Sequence, residues 1–212
     1  MADNNNACGL YLLTPEHIDD VDAFAVKLDA VLATGAVDCV QLRLKDADDD
    51  TIITAAKILL PVCHGHDIPL FINDRADIAA TVDADGVHLG QEDGDVATAR
   101  ALLGAAKDIG VTCHASKDMA FTAGEQGANY VAFGAFFPSV TKPGAELADT
   151  ETLTVWDEIT DIPCVAIGGI TPQNCGELKS AGAHFIAVCS SVWNDADGPI
   201  KAVQKFQQAL EQ

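Results

Sequence analysis

The chain has 212 residues, of which 49% are hydrophobic and 21% are charged, a balance that excludes a disordered or fibrous protein and predicts one globular domain spanning residues 1–212. Twelve Lys and Arg against 32 Asp and Glu give a formal net charge of −20, and a field of that sign repels nucleic acid and anionic membranes. No run of eighteen apolar residues and no signal peptide is recognisable, so we expect a soluble cytoplasmic protein.

Short runs rich in Val, Ile and Phe alternate along the chain with longer segments of helical period, and no Pro-rich or Ser-rich linker divides them. The predicted strands are residues 9–14, 39–45, 69–74, 86–90, 108–113, 130–137, 164–170 and 185–191. The predicted helices are residues 19–34, 48–64, 75–82, 95–103, 116–126, 150–160, 172–181 and 199–210. Eight even strand–helix units favour an α/β fold in a single domain, a closed TIM (β/α)8 barrel, over an open doubly wound sheet.

The second predicted strand ends in alternating polar and apolar residues. In Gln41-Leu42-Arg43-Leu44-Lys45 the period of two points Gln41, Arg43 and Lys45 to one face and the leucines to the other. Active sites of this fold lie at the C-terminal ends of the strands, and helices cover the outside of the barrel. We therefore expect two cations and an amide to converge inward as part of a binding site.

Two carboxylates follow the next two predicted strands. Asp74 ends the third strand in Asn73-Asp74-Arg75, and Asp93 follows the fourth. Carboxylates on neighbouring loops suit Mg²⁺, which takes oxygen ligands and is completed by waters and substrate phosphates. Asp74 alone is equally well explained as a helix N-cap, and it is its neighbours that favour the metal. His88, within the fourth strand, is predicted to be structural.

The last three strand ends carry groups that suit a phosphate. The sixth strand continues into a loop, Ser139-Val140-Thr141-Lys142, that offers two hydroxyls and a lysine between proline and glycine. Gly169 follows the seventh strand, and Cys189 and Ser190 end the eighth. Backbone amides after strands seven and eight commonly build the phosphate site of such a barrel, so the position of these residues predicts phosphate binding.

Five motifs stand in the same order, and at the same strand ends, as those of one known enzyme family. They are Gln41-Leu42-Arg43-Leu44-Lys45, Asn73-Asp74-Arg75, His88-Leu89-Gly90-Gln91-Glu92-Asp93, Phe137-Pro138-Ser139-Val140-Thr141-Lys142 and Ala166-Ile167-Gly168-Gly169-Ile170. Together they resemble the thiamine-phosphate synthase family, and the resemblance runs from Leu10 to the last helix. Any one of these motifs is weak evidence, whereas the set is specific.

The resemblance implies a transferase that joins hydroxymethylpyrimidine diphosphate to thiazole phosphate and releases pyrophosphate and thiamine phosphate. It implies Mg²⁺ held by Asp74 and Asp93, with Arg43, Lys45 and Lys142 as catalytic cations that stabilise the departing diphosphate. The residues it implies for the pyrimidine diphosphate are Gln41, Arg43, Lys45, Asn73 and Lys142, with Leu42, Leu44 and Thr112 in the same binding segments. Those implied for the thiazole phosphate are Ser139, Val140, Thr141, Gly169, Cys189 and Ser190.

Four residues depart from the pattern usual in the family. Thr112 stands where serine is usual, Ser139 where threonine is usual, Ala135 where proline is usual and Cys189 where an aliphatic residue is usual. Thr112 keeps a hydroxyl and adds a methyl group, and the phosphate donors are retained. We expect these departures to affect fine positioning and not the reaction.

Two alternative functions stay open at this point. A thiazole tautomerase of the same barrel type would use His114 as acid or base, although it has no need for a diphosphate and metal site. A catalytically silent barrel that binds the same precursors is the second alternative. In each case the expected partners are small phosphorylated molecules, with neither nucleic acid nor membrane, and the sequence leaves a homo-oligomer open.

Overall fold

Eight parallel strands close into a barrel in a computed structural model that describes residues 8–138 and 147–212. Each strand pairs with the next in sequence, and the eighth pairs with the first, so the predicted TIM barrel is confirmed. The strands are β1 (Gly9–Leu13), β2 (Cys39–Leu42), β3 (Leu70–Asn73), β4 (Gly86–Leu89), β5 (Asp108–His114), β6 (Tyr130–Gly134), β7 (Cys164–Ile167) and β8 (Phe185–Val188).

Nine helices surround the barrel in the described part of the chain, one more than the sequence predicts. They are α1 (Val21–Leu32), α2 (Asp49–His64), α3 (Ala76–Val82), α4 (Val96–Leu103), α5 (Lys117–Glu125), α6 (Glu151–Ile159), α7 (Cys175–Ser180), α8 (Ser190–Trp193) and α9 (Pro199–Leu210). Several begin where an acidic or hydroxyl side chain accepts a hydrogen bond from the first turn, as Asp48 does from the Thr51 amide at 2.8 Å. None of the described helices has the length and apolarity that crossing a membrane requires.

The extra helix corrects the predicted end of the eighth strand. That strand was predicted to reach residue 191, but β8 ends at Val188 and the chain turns at once into α8. The Trp193 indole donates to the Leu13 carbonyl at 2.7 Å, which ties this single helical turn to the end of β1. Four residues are too few for a periodic pattern, and tertiary contacts of this kind decide their conformation.

The second, sixth and seventh strands also end earlier than predicted. β2 stops at Leu42 because the Arg43 amide donates to the Thr14 hydroxyl at 2.9 Å, and the Lys45 amide donates to the Glu16 carbonyl at 3.0 Å, outside the regular ladder. The predicted strand over residues 130–137 stops at Gly134, and the one over 164–170 stops at Ile167. The polar groups at these positions therefore lie in loops at the barrel mouth and not on strand walls.

Two apolar layers hold the barrel together. Side chains such as Tyr11, Leu13, Phe71 and Tyr130 fill its interior, and a larger cluster fills the space between the strands and the helices. Alternation along each strand divides the two layers, since neighbouring residues of a strand point to opposite faces. The filled interior closes the barrel below and leaves its C-terminal mouth for polar groups.

Candidate active site

A chain of amide hydrogen bonds links the ends of β2 and β3. Gln41, only 3% exposed, points into the barrel, and its Nε2 donates to Asn73 Oδ1 at 2.5 Å. The Asn73 Nδ2 in turn donates to the Asp74 carboxylate at 2.5 Å. The structure thus brings three of the predicted site residues together and fixes the Asp74 carboxylate from one side. By contrast, the Leu42 side chain lies in the outer core, so a substrate would meet the backbone at that position.

Asp74 and Asp93 form a pair of facing carboxylates. Burial, followed by the nearby Asp93 carboxylate, raises the pKa of Asp74 to about 6, while the Arg43 charge acts in the opposite direction. Gly90 makes this proximity possible, because a Cβ there would collide with the Asp93 carboxylate and would lie 3.8 Å from Asp74 Oδ1. Asp74 does not cap α3; Arg75 stands at the N-cap without a side-chain bond, and so the alternative explanation for Asp74 is wrong.

The carboxylate pair fits a hard divalent cation. Asp74 is half-buried and Asp93 is exposed, and two carboxylates this close repel each other unless a proton or a cation reduces the charge. Across residues 8–138 and 147–212 no group of three or more His, Cys, Asp or Glu side chains is placed to hold a metal. One or two carboxylates are nevertheless what proteins usually supply to Mg²⁺, with waters and substrate phosphates as the other ligands. Asp74 and Asp93 are therefore the residues that could hold it.

A cationic group lies beside this pair, at the loops after β1 and β2. Arg43 Nη1 donates to Glu16 Oε1 at 2.6 Å, and the Lys45 ammonium lies 3.5 Å from the same oxygen. The hydrogen bond from Arg43 lowers the pKa of Glu16. Glu16 is not among the site residues predicted from the sequence. Its signal is the segment Thr14-Pro15-Glu16, which follows the first strand as the other polar groups follow theirs.

A buried polar network underlies the mouth. His88 Nδ1 lies 3.0 Å from the Tyr130 hydroxyl, which lies 2.8 Å from that of Tyr11. His88 Nε2 lies 2.8 Å from the Thr112 hydroxyl. Burial, and secondarily the Arg43 charge, lowers the pKa of His88 to about 4, so the ring is neutral at pH 7. These contacts support the predicted structural role of His88, and they occupy the hydroxyl of Thr112.

The ends of β7 and β8 lie next to each other on the opposite side of the mouth. Gly169 has φ +64° and packs so closely that a Cβ would lie 2.5 Å from the Pro138 carbonyl oxygen. The Asn174 amide holds this turn by donating to the Gly169 carbonyl at 3.2 Å. The Cys189 thiol donates to the Thr14 carbonyl at 3.3 Å, burial raises its pKa to about 11, and Ser190 opens α8.

Other predicted site residues take different places. Ser139, Val140, Thr141 and Lys142 lie outside the described residues. His114 ends β5 with φ +51° and an exposed side chain, past an irregularity in the pairing with β6. The Lys45 side chain is 43% exposed, so it borders the mouth instead of lining its floor.

Replacing Gly169 with alanine tests the turn after β7. A side chain there meets both an unfavourable φ and the carbonyl oxygens of Phe137 and Pro138, so the turn must shift. For a phosphorylated substrate bound at this turn, as the sequence predicts, we expect the KM to rise about tenfold, since the backbone amides of a displaced turn no longer point at the phosphate. The matched control is Gly176→Ala on α7, where a Cβ meets nothing within 4 Å. Equal kinetics for both variants would contradict a binding role for this turn.

The fold and the site together are those of a TIM-barrel enzyme. Its C-terminal mouth carries cations, a carboxylate pair and a glycine turn. A family model described as thiamine monophosphate synthase matches residues 10–192. The chain belongs to that family, and it is an enzyme, a transferase of thiamine biosynthesis. The resemblance inferred from the five motifs is thereby confirmed.

Individual relatives extend over nearly the whole chain. The thiamine-phosphate synthase of Rhodospirillum centenum is 51% identical over 203 residues, covering 96% of this chain and 98% of the relative. That of Hyphomonas neptunium is 46% identical, covering 95% of this chain and 93% of the relative. Among solved structures, thiamine phosphate pyrophosphorylase from Pyrococcus furiosus superposes with a TM-score of 0.83 at 31% identity, covering 97% of this chain and 96% of the other.

Proposed function

We propose that this enzyme condenses 4-amino-2-methyl-5-(diphosphooxymethyl)pyrimidine with 4-methyl-5-(2-phosphoethyl)thiazole to give thiamine phosphate and pyrophosphate. In this reaction the bond between the pyrimidine methylene and the diphosphate oxygen breaks, and the thiazole nitrogen forms the new bond to that methylene. The observation that carries the proposal is the placement of Arg43, Lys45 and the Asp74–Asp93 pair at one barrel mouth. Because its substrates are charged metabolites, we place the enzyme in the cytoplasm.

Charge stabilisation at the leaving group is the main task of the site. As the diphosphate departs, negative charge grows on its bridging oxygen, and fixed cations stabilise that charge more than the ground state. Arg43 and Lys45 supply two of these cations, and Lys142 is proposed as the third. Asp74 and Asp93 would hold Mg²⁺, which would supply further neutralisation of the diphosphate. Asn73 donates to the Asp74 carboxylate and is itself held by Gln41, and both amides are proposed to contact the pyrimidine diphosphate.

The thiazole phosphate is assigned to the other side of the mouth. The turn at Gly169 and the start of α8 at Ser190 follow two paired strands. The Cys189 thiol donates to the Thr14 carbonyl at the end of β1. Ser139, Val140 and Thr141 are proposed to complete the phosphate contacts. No protein nucleophile is needed, because the pyrimidine stabilises a cation at its methylene once the diphosphate has left, so positioning and electrostatics carry the catalysis. Thr112, Leu42 and Leu44 border the pyrimidine side.

The decisive experiment incubates the enzyme with both phosphorylated precursors, with and without Mg²⁺, and follows thiamine phosphate and pyrophosphate by mass spectrometry. Equal amounts of the two products, formed only with Mg²⁺, are expected. If no condensation occurs while a control synthase works in the same mixture, the proposal is wrong. A tautomerase assay, with His114→Gln as its variant, and calorimetry with each precursor then distinguish isomerisation of the thiazole from silent binding.

Lys142→Ala tests the third proposed cation. Losing a positive charge that acts on the diphosphate is expected to lower kcat/KM for the pyrimidine substrate by about 100-fold, an effect of the size seen when one transition-state donor is removed. Lys117→Ala, which changes a lysine of α5, is the control for loss of one positive charge. A Lys142 variant as active as this control would remove Lys142 from the mechanism.

A further inference from the structure

The loop after β1 is fixed to the loop after β2 by its backbone. The Thr14 amide donates to the Gln41 carbonyl at 2.9 Å, and the Thr14 hydroxyl accepts from the Arg43 amide at 2.9 Å. The Lys45 amide donates to the Glu16 carbonyl at 3.0 Å. Glu16 therefore stands at a defined point beside the two cations of the second strand end, and its position does not depend on its own side chain.

The Glu16 carboxylate makes a short ion pair with Arg43 at the mouth. Its Oε1 accepts from Arg43 Nη1 at 2.6 Å, and their side chains are 27% and 18% exposed. Within residues 8–138 and 147–212, no other carboxylate lies within ion-pair distance of the Arg43 guanidinium. Arg43 is central to the site, because its charge affects the pKa values of Asp74, His88 and Cys189, which come from three different strand ends.

We propose that Glu16 is a positioning residue that holds the Arg43 guanidinium in the orientation that binds the substrate diphosphate, an inference that rests on the proposed function. A free arginine side chain samples many rotamers, and ordering it at the moment of binding weakens the affinity for the ligand. One Glu16 oxygen occupies a single N–H group of Nη1, which leaves the other donors of the planar guanidinium for two phosphate oxygens.

The Glu16 carboxylate also repels a diphosphate. This repulsion weakens diphosphate binding, whereas the ordering of Arg43 strengthens it. The Glu16 side chain is 27% exposed, so water screens the repulsion, whereas the hydrogen bond that orders Arg43 is short and charge-assisted. We therefore expect the loss of ordering to outweigh the loss of repulsion. Removing a positioning residue should therefore weaken diphosphate binding. Removing a carboxylate that is merely adjacent would strengthen it, because such a carboxylate only repels the diphosphate.

The test compares Glu16→Ala, Glu16→Gln and the wild type by steady-state kinetics and by calorimetric titration with pyrophosphate in the presence of Mg²⁺. For Glu16→Ala we expect the KM for the pyrimidine diphosphate and the Kd for pyrophosphate each to rise about tenfold, with the thiazole KM changed less than about twofold. For Glu16→Gln both should rise only about threefold, because the amide oxygen still accepts from Arg43 in a weaker, neutral bond.

Asp197→Ala is the matched control, because it removes a carboxylate from an exposed ion pair, that of Asp197 before α9 with Lys205 on α9 at 2.9 Å. It should leave all constants unchanged.

Tighter or unchanged pyrophosphate binding in Glu16→Ala overturns the inference, as do equal rises in both KM values. If circular dichroism shows that Glu16→Ala is unfolded, the glutamine variant decides, and wild-type constants there overturn it. A wild type without condensation or pyrophosphate binding refutes the proposed function and the inference together, whereas an active wild type with insensitive variants refutes only the inference.

Discussion

Asp93→Asn is expected to lower the rate of thiamine phosphate formation by roughly 100-fold or more, with Mg²⁺ present and both substrates saturating. The amide has nearly the shape of the carboxylate but lacks its charge, so the site proposed for the divalent cation binds it much more weakly. The rate of product formation in the purified variant, measured across a Mg²⁺ titration, checks this. Asp95→Ala is the control, since Asp95 lies in the same loop but only caps α4 by accepting from the Thr98 amide at 2.8 Å.

The same Asp93 variant should not be less stable than the wild type without metal. Asp74 has a folded pKa of about 6, above its ordinary value of 3.8, so its effect on stability is most favourable below about pH 4 and is lost as the pH rises through 6. Removing the Asp93 charge relieves part of that loss above pH 6. We expect a Tm higher by about 2–4 °C at pH 7.5 in EDTA, with no gain at pH 4. A lower Tm together with lost activity would instead mark Asp93 as a structural residue.

The negative net charge of the chain makes the cations at the barrel mouth informative about function. A net charge of −20 repels the two phosphorylated substrates that we propose, so affinity for them requires cations gathered at one place. Arg43 and Lys45 are two of only twelve basic residues, and both lie at a single strand end. Among residues 8–138 and 147–212, Glu16 is the carboxylate that makes ion pairs with both of them, which is why its effect on binding is informative.

Much of the fold could be predicted because the strand and helix periods alternate eight times without interruption. The inward direction of Gln41 and the proximity of Asp74 to Asn73 also follow from strand alternation and the barrel rule. The strand ends could not be predicted. At the end of β2 the alternation of polar and apolar residues continues through Leu44, but the Arg43 amide donates to the Thr14 hydroxyl and so leaves the strand ladder. α8 was missed for a similar reason, because contacts distant in sequence decide it.

The contacts between side chains of different loops lay beyond the sequence. The hydrogen bond from Arg43 to Glu16 joins residues 27 positions apart, and the one between His88 and Tyr130 joins residues 42 apart. Such pairs have no periodic signal, because their spacing is set by the lengths of the intervening helices and turns. A list of polar residues at every strand end finds the candidates, but only the packed barrel shows which of them touch.

His88 is expected to make the enzyme lose stability on mild acidification. Its pKa is about 4 in the folded state, because the ring is buried, and 6.5 is the ordinary value. Above pH 6.5 the ring is neutral in both states, and His88 imposes no penalty. As the pH falls from 6.5 to 4, His88 binds a proton in the unfolded chain but not in the folded protein. The free energy of unfolding therefore falls by on the order of 3 kcal/mol. Asp74 opposes this trend over part of the same range, so the total curve alone does not isolate His88.

The difference between the wild type and His88→Gln isolates it, because Asp74 and the other titrating groups cancel. Urea unfolding at pH 4, 5, 6 and 7.5 should show the variant least stable relative to the wild type at pH 7.5, with the gap narrowing as the pH falls towards 4. Phe133→Leu, a change at a fully buried side chain without a proton to exchange, should give a gap that is independent of pH. A pH-independent gap for His88→Gln as well would mean that His88 is protonated equally in both states, and that the neutral network with Tyr130 and Thr112 is not what the folded barrel holds.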